Sequence, residues 1–335
     1  MLLAGDIGGT KTLLGLFDRA FPRPHPIASR AFSTLEHSDL TAMISVFATE
    51  AAVPRANIEA ASFGVAGPVL GETAQLTNVG FRVDARRLAE TLDIGRVSLL
   101  NDLQAMAYAV PVLHSAELHV LQDGVALAGG NMALIAAGTG LGEALLHFVD
   151  GRFIPSPCEG GHADFAARTE RDVTVLRALV QRYKRASVEH VVSGPGLINV
   201  YRAMHAGPCR AVADENSREA PAAITSAALE GRCSACADTL ATFVEAYGAE
   251  AGNLALRSVA TAGLFVGGGI APRILPALTD GTFMHAFRDK APLGDLMARI
   301  PVAVILHASR VCSVRRCTLR EKREFGHLVI WSSGH

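Results

Sequence analysis

The chain has 335 residues, 50% hydrophobic and 19% charged, with a net charge of −1 from 31 basic and 32 acidic residues. That is enough apolar material for a sizeable core in about two domains, and it offers no overall field for nucleic acid or an anionic membrane. No run is long enough to span a bilayer, and MLLAGDIGG lacks the basic start of a signal peptide, so a cytoplasmic protein with six reduced cysteines is expected.

In chain order, LLAGDIGGTKTLLGLFD (2–18) reads as two strands joined by a tight glycine turn. AASFGVAGPV (60–69) is a buried strand running into a second glycine turn. Asp84 is placed to cap a helix over RLAETL. VSLLND (97–102) is a buried strand ending in Asn-Asp, and LQAMAYAV continues it as a helix with Asn101 or Asp102 near the N-cap. IAAGTGLGEALLHFVD (135–150) repeats the first hairpin. ERDVTVLRALVQRYK (170–184) has helical spacing at Val173, Leu176, Leu179, Val180 and Tyr183. ITSAALEGRCSACADTLATFVEAYG reads as helices with alanine-rich buried faces. LFVGGGIAPRIL (264–275) is strand, triple-glycine turn and helix with Pro272 in its first turn, and IPVAVILH (300–307) is a last buried strand.

The order of hairpin, then strand and glycine turn, occurs twice. An internal duplication is the economical explanation. Strands alternating with helices predict a sheet covered on both faces, and two such halves predict a cleft for a small molecule.

Four stretches carry chemistry. In GDIGGT the glycines let successive N–H groups form an anion nest, and Asp6 is able to position Mg²⁺ directly or through water. It matches neither a P-loop nor a dinucleotide fingerprint, and a hairpin turn with no ligand stands beside the phosphate-loop reading. The second loop, Gly138-Thr139-Gly140-Leu141-Gly142, strengthens the phosphate reading. Asp102, leaving a buried strand end, is either a partly desolvated base or the cap of the next helix. In CEGGH (158–162), Glu159 and His162 flank two glycines, which rule out a metal-binding helix of the H-E-x-x-H kind. With Glu189 they would number three metal ligands, but the Glu-Gly-Gly-His loop instead suits a ring of hydroxyls, each needing a donor or an acceptor; His162 alone reads equally as a hydrogen-bonded structural histidine. Cys233-Ser-Ala-Cys236 is a single C-x-x-C where a structural zinc needs four ligands, so it is read as buried small residues. No metal ligand is expected among the side chains beyond Asp6.

Asp6-Ile-Gly-Gly-Thr10, Leu100-Asn101-Asp102, Gly138-Thr-Gly-Leu-Gly142, Glu159-Gly-Gly-His-Ala-Asp164, Glu189 before Ser193-Gly-Pro-Gly196, and Gly267-Gly-Gly-Ile270 follow one another in order. Together they closely resemble the bacterial glucokinases of the hexokinase/actin-like superfamily, from residue 2 to about 307. The resemblance implies an α/β, duplicated actin-like (ribonuclease H-like) two-domain fold with an interdomain cleft. It implies a small domain over 1–112, a large one over 113–307 and an atypical tail over 308–335. The implied activity is ATP-dependent phosphorylation of glucose at the 6-hydroxyl, with ATP and Mg²⁺. Asp102 would be the base, and Asn78, Asn101, Asp102, Glu159, His162 and Glu189 would hold the sugar. Gly5, Asp6, Ile7, Gly8, Gly9 and Thr10 would form the phosphate loop, faced by Gly138, Thr139 and Gly140, with Gly267, Gly268 and Gly269 near the adenosine. By analogy the chain would be a homodimer. The alternatives are a kinase of another hexose or hexosamine, and a sugar-sensing regulator on the same scaffold; the regulator would need a helix-turn-helix ahead of the kinase pattern, and with that pattern beginning at Leu2 none is expected.

The tail departs from the family pattern, which continues with Pro-Gly-Leu-Leu-Gly and an apolar helix. Residues 308–335 instead carry five Arg and one Lys against two Glu, +6 − 2 = +4. Back-translating Ser309 to Cys317 as AGC CGG GTC TGC TCG GTG CGG CGC TGC and dropping two bases gives CCG GGT CTG CTC GGT GCG GCG CTG, which encodes Pro-Gly-Leu-Leu-Gly-Ala-Ala-Leu. A reading-frame shift near residue 308 is therefore expected, with a poorly packed tail.

Overall fold

The computed structural model describes residues 1–20, 23–76, 80, 82–205, 207, 209–306, 312–315 and 327–330. The chain divides into two compact units, one formed mainly by Met1–His114 and the other mainly by Ser115–Gly151 and Cys158–Leu306.

In the first unit, β1 (Leu2–Ile7), β2 (Lys11–Phe17) and β3 (Pro26–Ser33) form an antiparallel meander. Helix α1 (Leu40–Glu50) leads to β4 (Ala60–Val65), which pairs parallel to β1. A small sheet of β5 (Val69–Leu70), β6 (Thr73–Gln75) and β7 (Arg82–Asp84) precedes α2 (Ala85–Leu92), capped as expected by Asp84, whose side chain accepts from the Arg87 N–H at 3.0 Å. Then β8 (Val97–Asn101) pairs parallel to β4 and runs straight into α3 (Asp102–Ala109). The sheet order is β3-β2-β1-β4-β8. Strands β1 and β4 are apolar nearly throughout because both faces are covered; Leu3, Ile7, Phe63 and Val65 are fully buried.

The second sheet takes β9 (Leu118–Gln122), then β10 (Met132–Ala137), β11 (Leu141–Val149) and β12 (Arg152–Cys158). Helices α4 (Glu170–Tyr183), α5 (Gly194–Met204), α6 (Ala220–Leu229) and α7 (Ser234–Ser258) follow. Next come β13 (Gly263–Gly267), the short helices α8 (Leu275–Leu278), α9 (Thr282–Arg288) and α10 (Gly294–Arg299), and β14 (Val302–Ile305). The sheet order is β12-β11-β10-β13-β14-β9. β10 and β11 are antiparallel, whereas β10–β13 and β13–β14 are parallel. Apart from β9, this is the order of the first unit repeated, which is the topology the duplicated hairpins foreshadow. Behind the sheet, α7 buries Phe243 and Tyr247 against Phe283 of α9.

Helix α4 forms where its spacing predicts, capped by Thr169 and Asp172 in a reciprocal box. Its buried face differs from the expected one. Val175 and Leu179 are buried, whereas Val180 and Tyr183 are exposed at 43% and 38%; Tyr183 stacks on His190 instead of entering the core. In the tail, β15 (Cys312–Arg315) and β16 (His327–Ile330) pair antiparallel; the remainder of 308–335, and the packing expected of it, lies outside the described residues.

Candidate functional site

In the first unit the loop between β1 and β2 is closed by the Gly8 N–H, which donates to the Lys11 carbonyl at 3.0 Å. The Thr34 hydroxyl donates to the Gly8 carbonyl at 2.8 Å, tying the loop to the end of β3. Asp6 is half-buried on β1 beside this turn. Its position and hard oxygen donors fit a Mg²⁺ ion held directly or through water.

The β8–α3 junction shows which of the two residues caps α3. Asn101 is the N-cap: its Oδ1 accepts from the N–H groups of Leu103 at 2.9 Å and Gln104 at 3.3 Å. Asp102 is the first helical residue. Its Oδ1 shares the Leu103 N–H at 2.8 Å, and its side chain is exposed rather than partly desolvated. β4 allows this helix start to approach closely, since Gly64 presents no side chain toward Ala105.

In the second unit the structure brings together Glu159, His162 and Glu189. His162 Nε2 lies 3.9 Å from Glu159 Oε2, and its Nδ1 lies 3.9 Å from Glu189 Oε1. Their side chains are 89%, 59% and 29% exposed respectively, so Glu159 and His162 are open to a ligand while Glu189 is anchored. The anchor is the Leu141 N–H, which donates to Glu189 Oε2 at 2.9 Å. Gly140 makes this approach feasible, because a Cβ there would lie 2.6 Å from that oxygen. Ser193 caps α5 by accepting from the Gly196 N–H at 2.9 Å, and its hydroxyl donates to the Glu189 carbonyl at 2.7 Å. The Gly194 N–H donates to the Gly138 carbonyl at 2.8 Å. The two motifs flanking residues 138–142 and 189–196 are thus one hydrogen-bonded unit. Arg185 supports the Glu159–His162 turn through the His162 carbonyl and through Asp164 Oδ1 at 2.6 Å.

The glycines after β13 have a steric reason. Gly268 has φ +85°, and a Cβ there would sit 2.2 Å from the Ala137 carbonyl oxygen. The buried Tyr247 hydroxyl links the two turns. It accepts from the Ala137 N–H at 3.2 Å and lies 3.3 Å from the Gly267 carbonyl. Asn78 lies outside the described residues.

Sequence reasoning missed Glu143, Tyr247 and Arg185. Glu143 sits on β11 with no exposed surface, and among the described residues neither carboxylate oxygen has a hydrogen-bond partner. A Cβ on Gly160 would lie 2.0 Å from its Oε2, so this carboxyl lies directly beneath the Glu159–His162 turn. Burial, then the neighbouring Glu250 charge, pushes its pKa up to about 8, with Arg257 acting in the opposite direction. The one signal was an acidic residue within the apolar run of β11.

The glucokinase family model matches residues 3–313. The chain is 38% identical to a glucokinase of Nostoc sp. over 92% of its own length and 95% of the relative's. It is 39% identical to a glucokinase of Synechocystis sp., over 91% and 94%. Among solved structures, a glucokinase from an Antarctic psychrotroph superposes with a TM-score of 0.80 at 30% identity, covering 91% of this chain and 94% of that one. A ROK family glucokinase from Streptomyces griseus, solved with glucose and AMPPNP, shares the fold at a TM-score of 0.58 and 18% identity, over 90% and 93%. With the ordered motifs, the repeated sheet topology and the anchored Glu189 cluster all in one chain, these matches settle its membership: it belongs to the glucokinase family.

Proposed function

We propose that the protein transfers the γ-phosphoryl group of ATP to the 6-hydroxyl of glucose. The observation that carries the mechanism is the division of roles at the β8–α3 junction. Because Asn101 caps α3, the exposed Asp102 carboxylate is not needed to start the helix. It is the base that orients the 6-hydroxyl and accepts its proton as the oxygen attacks phosphorus. Asn101, Glu159, His162 and Glu189 hold the other hydroxyls; Asn78 is assigned to the sugar by family pattern alone. The Gly5–Thr10 turn and Gly138–Gly140 present backbone N–H groups to phosphate oxygens, and Gly267–Gly269 lie along the adenosine. Asp6 would hold Mg²⁺, which when bound offsets charge on the phosphoryl oxygens. Two copies are proposed to associate as a homodimer, which light scattering would test.

Coupled ATP turnover on a panel of hexoses and hexosamines tests the reading. Glucose is expected to give the highest kcat/KM. Asp102→Asn should fold and bind glucose but lose about 10²–10⁴-fold in kcat, the usual contribution of a general base. Turnover confined to another sugar would reassign the substrate, and near-normal turnover in Asp102→Asn would remove the base.

A further inference from the structure

Four side chains outside this site converge on one point in the second unit. His205 is the C-cap residue of α5, Cys209 lies in the connection that follows, Cys233 is the N-cap residue of α7 and Cys236 lies in its first turn. One nitrogen or sulfur atom from each lies within 4.8 Å of every other. Cys209 Sγ and Cys236 Sγ are 3.8 Å apart, and His205 Nε2 is 3.7 Å from Cys233 Sγ and 3.9 Å from Cys236 Sγ. A tetrahedron with Zn–S of about 2.3 Å and Zn–N of about 2.0–2.1 Å has edges of about 3.5–3.8 Å. The observed separations are close to those edges.

We propose that His205, Cys209, Cys233 and Cys236 bind one structural zinc ion as a closed Cys₃His site. The surroundings are arranged for it. His205 Nδ1 lies 3.2 Å from the Tyr201 carbonyl, which places the ring proton on Nδ1 and leaves the Nε2 lone pair for the metal. The ring also packs on Tyr201, with centroids 3.8 Å apart, and the Tyr201 hydroxyl accepts the Cys209 N–H at 3.2 Å. The start of the 25-residue helix α7 favours the negative charge of thiolates. A disulfide accounts for less. It would join two of the three sulfurs and leave a thiol and an oriented imidazole unexplained. The apparent solitude of Cys233-x-x-Cys236 was a matter of chain distance only, since its partners come from the end of α5 and the loop after it.

The site's place in the fold gives its role. The connection from His205 to Glu219 has no helix or strand among its described residues; Arg202 ties its later part through Glu215 at 2.8 Å and Asn216 at 2.7 Å, and the metal would tie its first residues to the start of α7. Four protein ligands leave no open position for substrate, which makes the metal structural. It would hold the end of α5 opposite the Ser193 cap, about 16 Å along an 11-residue helix from the anchor of Glu189. The proposal is independent of the sugar and the phosphoryl donor.

The test is metal analysis of the full-length protein expressed with added zinc and purified under reducing conditions without chelator. One zinc per chain is expected. Its X-ray absorption fine structure should show three sulfurs and one nitrogen at the distances above. Cobalt(II) replacing the zinc should give the visible band of a tetrahedral thiolate site. Cys158→Ser should keep the metal, whereas Cys233→Ser/Cys236→Ser should lose it. If that double variant does not fold, the absorption spectrum of the unaltered chain decides alone. Metal-free protein, an oxygen-rich metal shell, a Cys209–Cys236 disulfide in metal-free protein, or zinc retained by the folded double variant would each overturn the proposal.

Discussion

Replacing Glu143 with glutamine should change how stability depends on pH. In the fold this carboxyl is fully buried on β11, faced by Glu250 and by Arg257, whose Nη1 lies 3.9 Å from Oε2. Arg257 is committed at 2.8 Å to Glu250, which also takes the Asn253 amide at 2.9 Å. Glu143 is therefore protonated near neutrality, with its pKa moved from 4.5 to about 8. The folded chain keeps this proton where the unfolded chain releases it. The group's stabilisation is thus complete below about pH 4.5 and is lost as pH rises through about 8. At about 1.4 kcal/mol per pKa unit, the full shift corresponds to about 5 kcal/mol, a ceiling that movement of Arg257 or entry of water would reduce. Glutamine is neutral throughout and close in shape. Urea unfolding at pH 5, 7 and 9 should find the two proteins similar at pH 5, with Glu143→Gln gaining steadily to a few kcal/mol at pH 9. Parallel stability curves for the two proteins would refute the reasoning, because they would mean that Glu143 titrates alike folded and unfolded.

Glu159→Gln and His162→Ala should each raise KM for glucose by about tenfold or more, since hydrogen bonds to charged or buried groups contribute about 1.5–3 kcal/mol; unchanged steady-state KM would take these residues out of the sugar site. Tyr247→Phe should lower unfolding free energy by about 1–2 kcal/mol, by urea titration, because the Ala137 N–H loses its partner in a dry interior. Resequencing the 3′ end of the gene should show codons that reread as Pro-Gly-Leu-Leu-Gly near residue 309. A version with that frame restored should melt at a higher temperature, and equal midpoints would show that the basic tail replaces the missing helix.

Much of the scaffold was legible because its elements obey one local rule each. β1, β4, β10 and β13 are short, mostly apolar runs leading into glycine turns, which is how strands covered on both faces read. The site was legible where a motif is contiguous, as in Glu159–His162 and Ser193–Gly196. It was not where tertiary contact decides. Either residue of Asn101-Asp102 is able to cap a helix, and only the backbone path shows that Asn101 does. The face of α4 shifted, with Tyr183 stacked on a ring seven residues later in sequence. His205 and Cys209 gave no signal because their partners Cys233 and Cys236 belong to another helix. The acid on β11 was visible in the letters, but nothing in them told that its neighbour would be a second carboxylate.

The Asn101 amide has two chemically different ends, and the cap of α3 uses only one. Both capping bonds go to its oxygen, so the NH₂ group is not spent on starting α3. A single side chain can thus answer to two selective pressures that act on different atoms. Asp and Ser would preserve the cap but give up the amide donors, while Ala would give up both. Comparing those three replacements would separate inherited architecture from acquired chemistry at one residue, a separation that few positions in a folded chain permit.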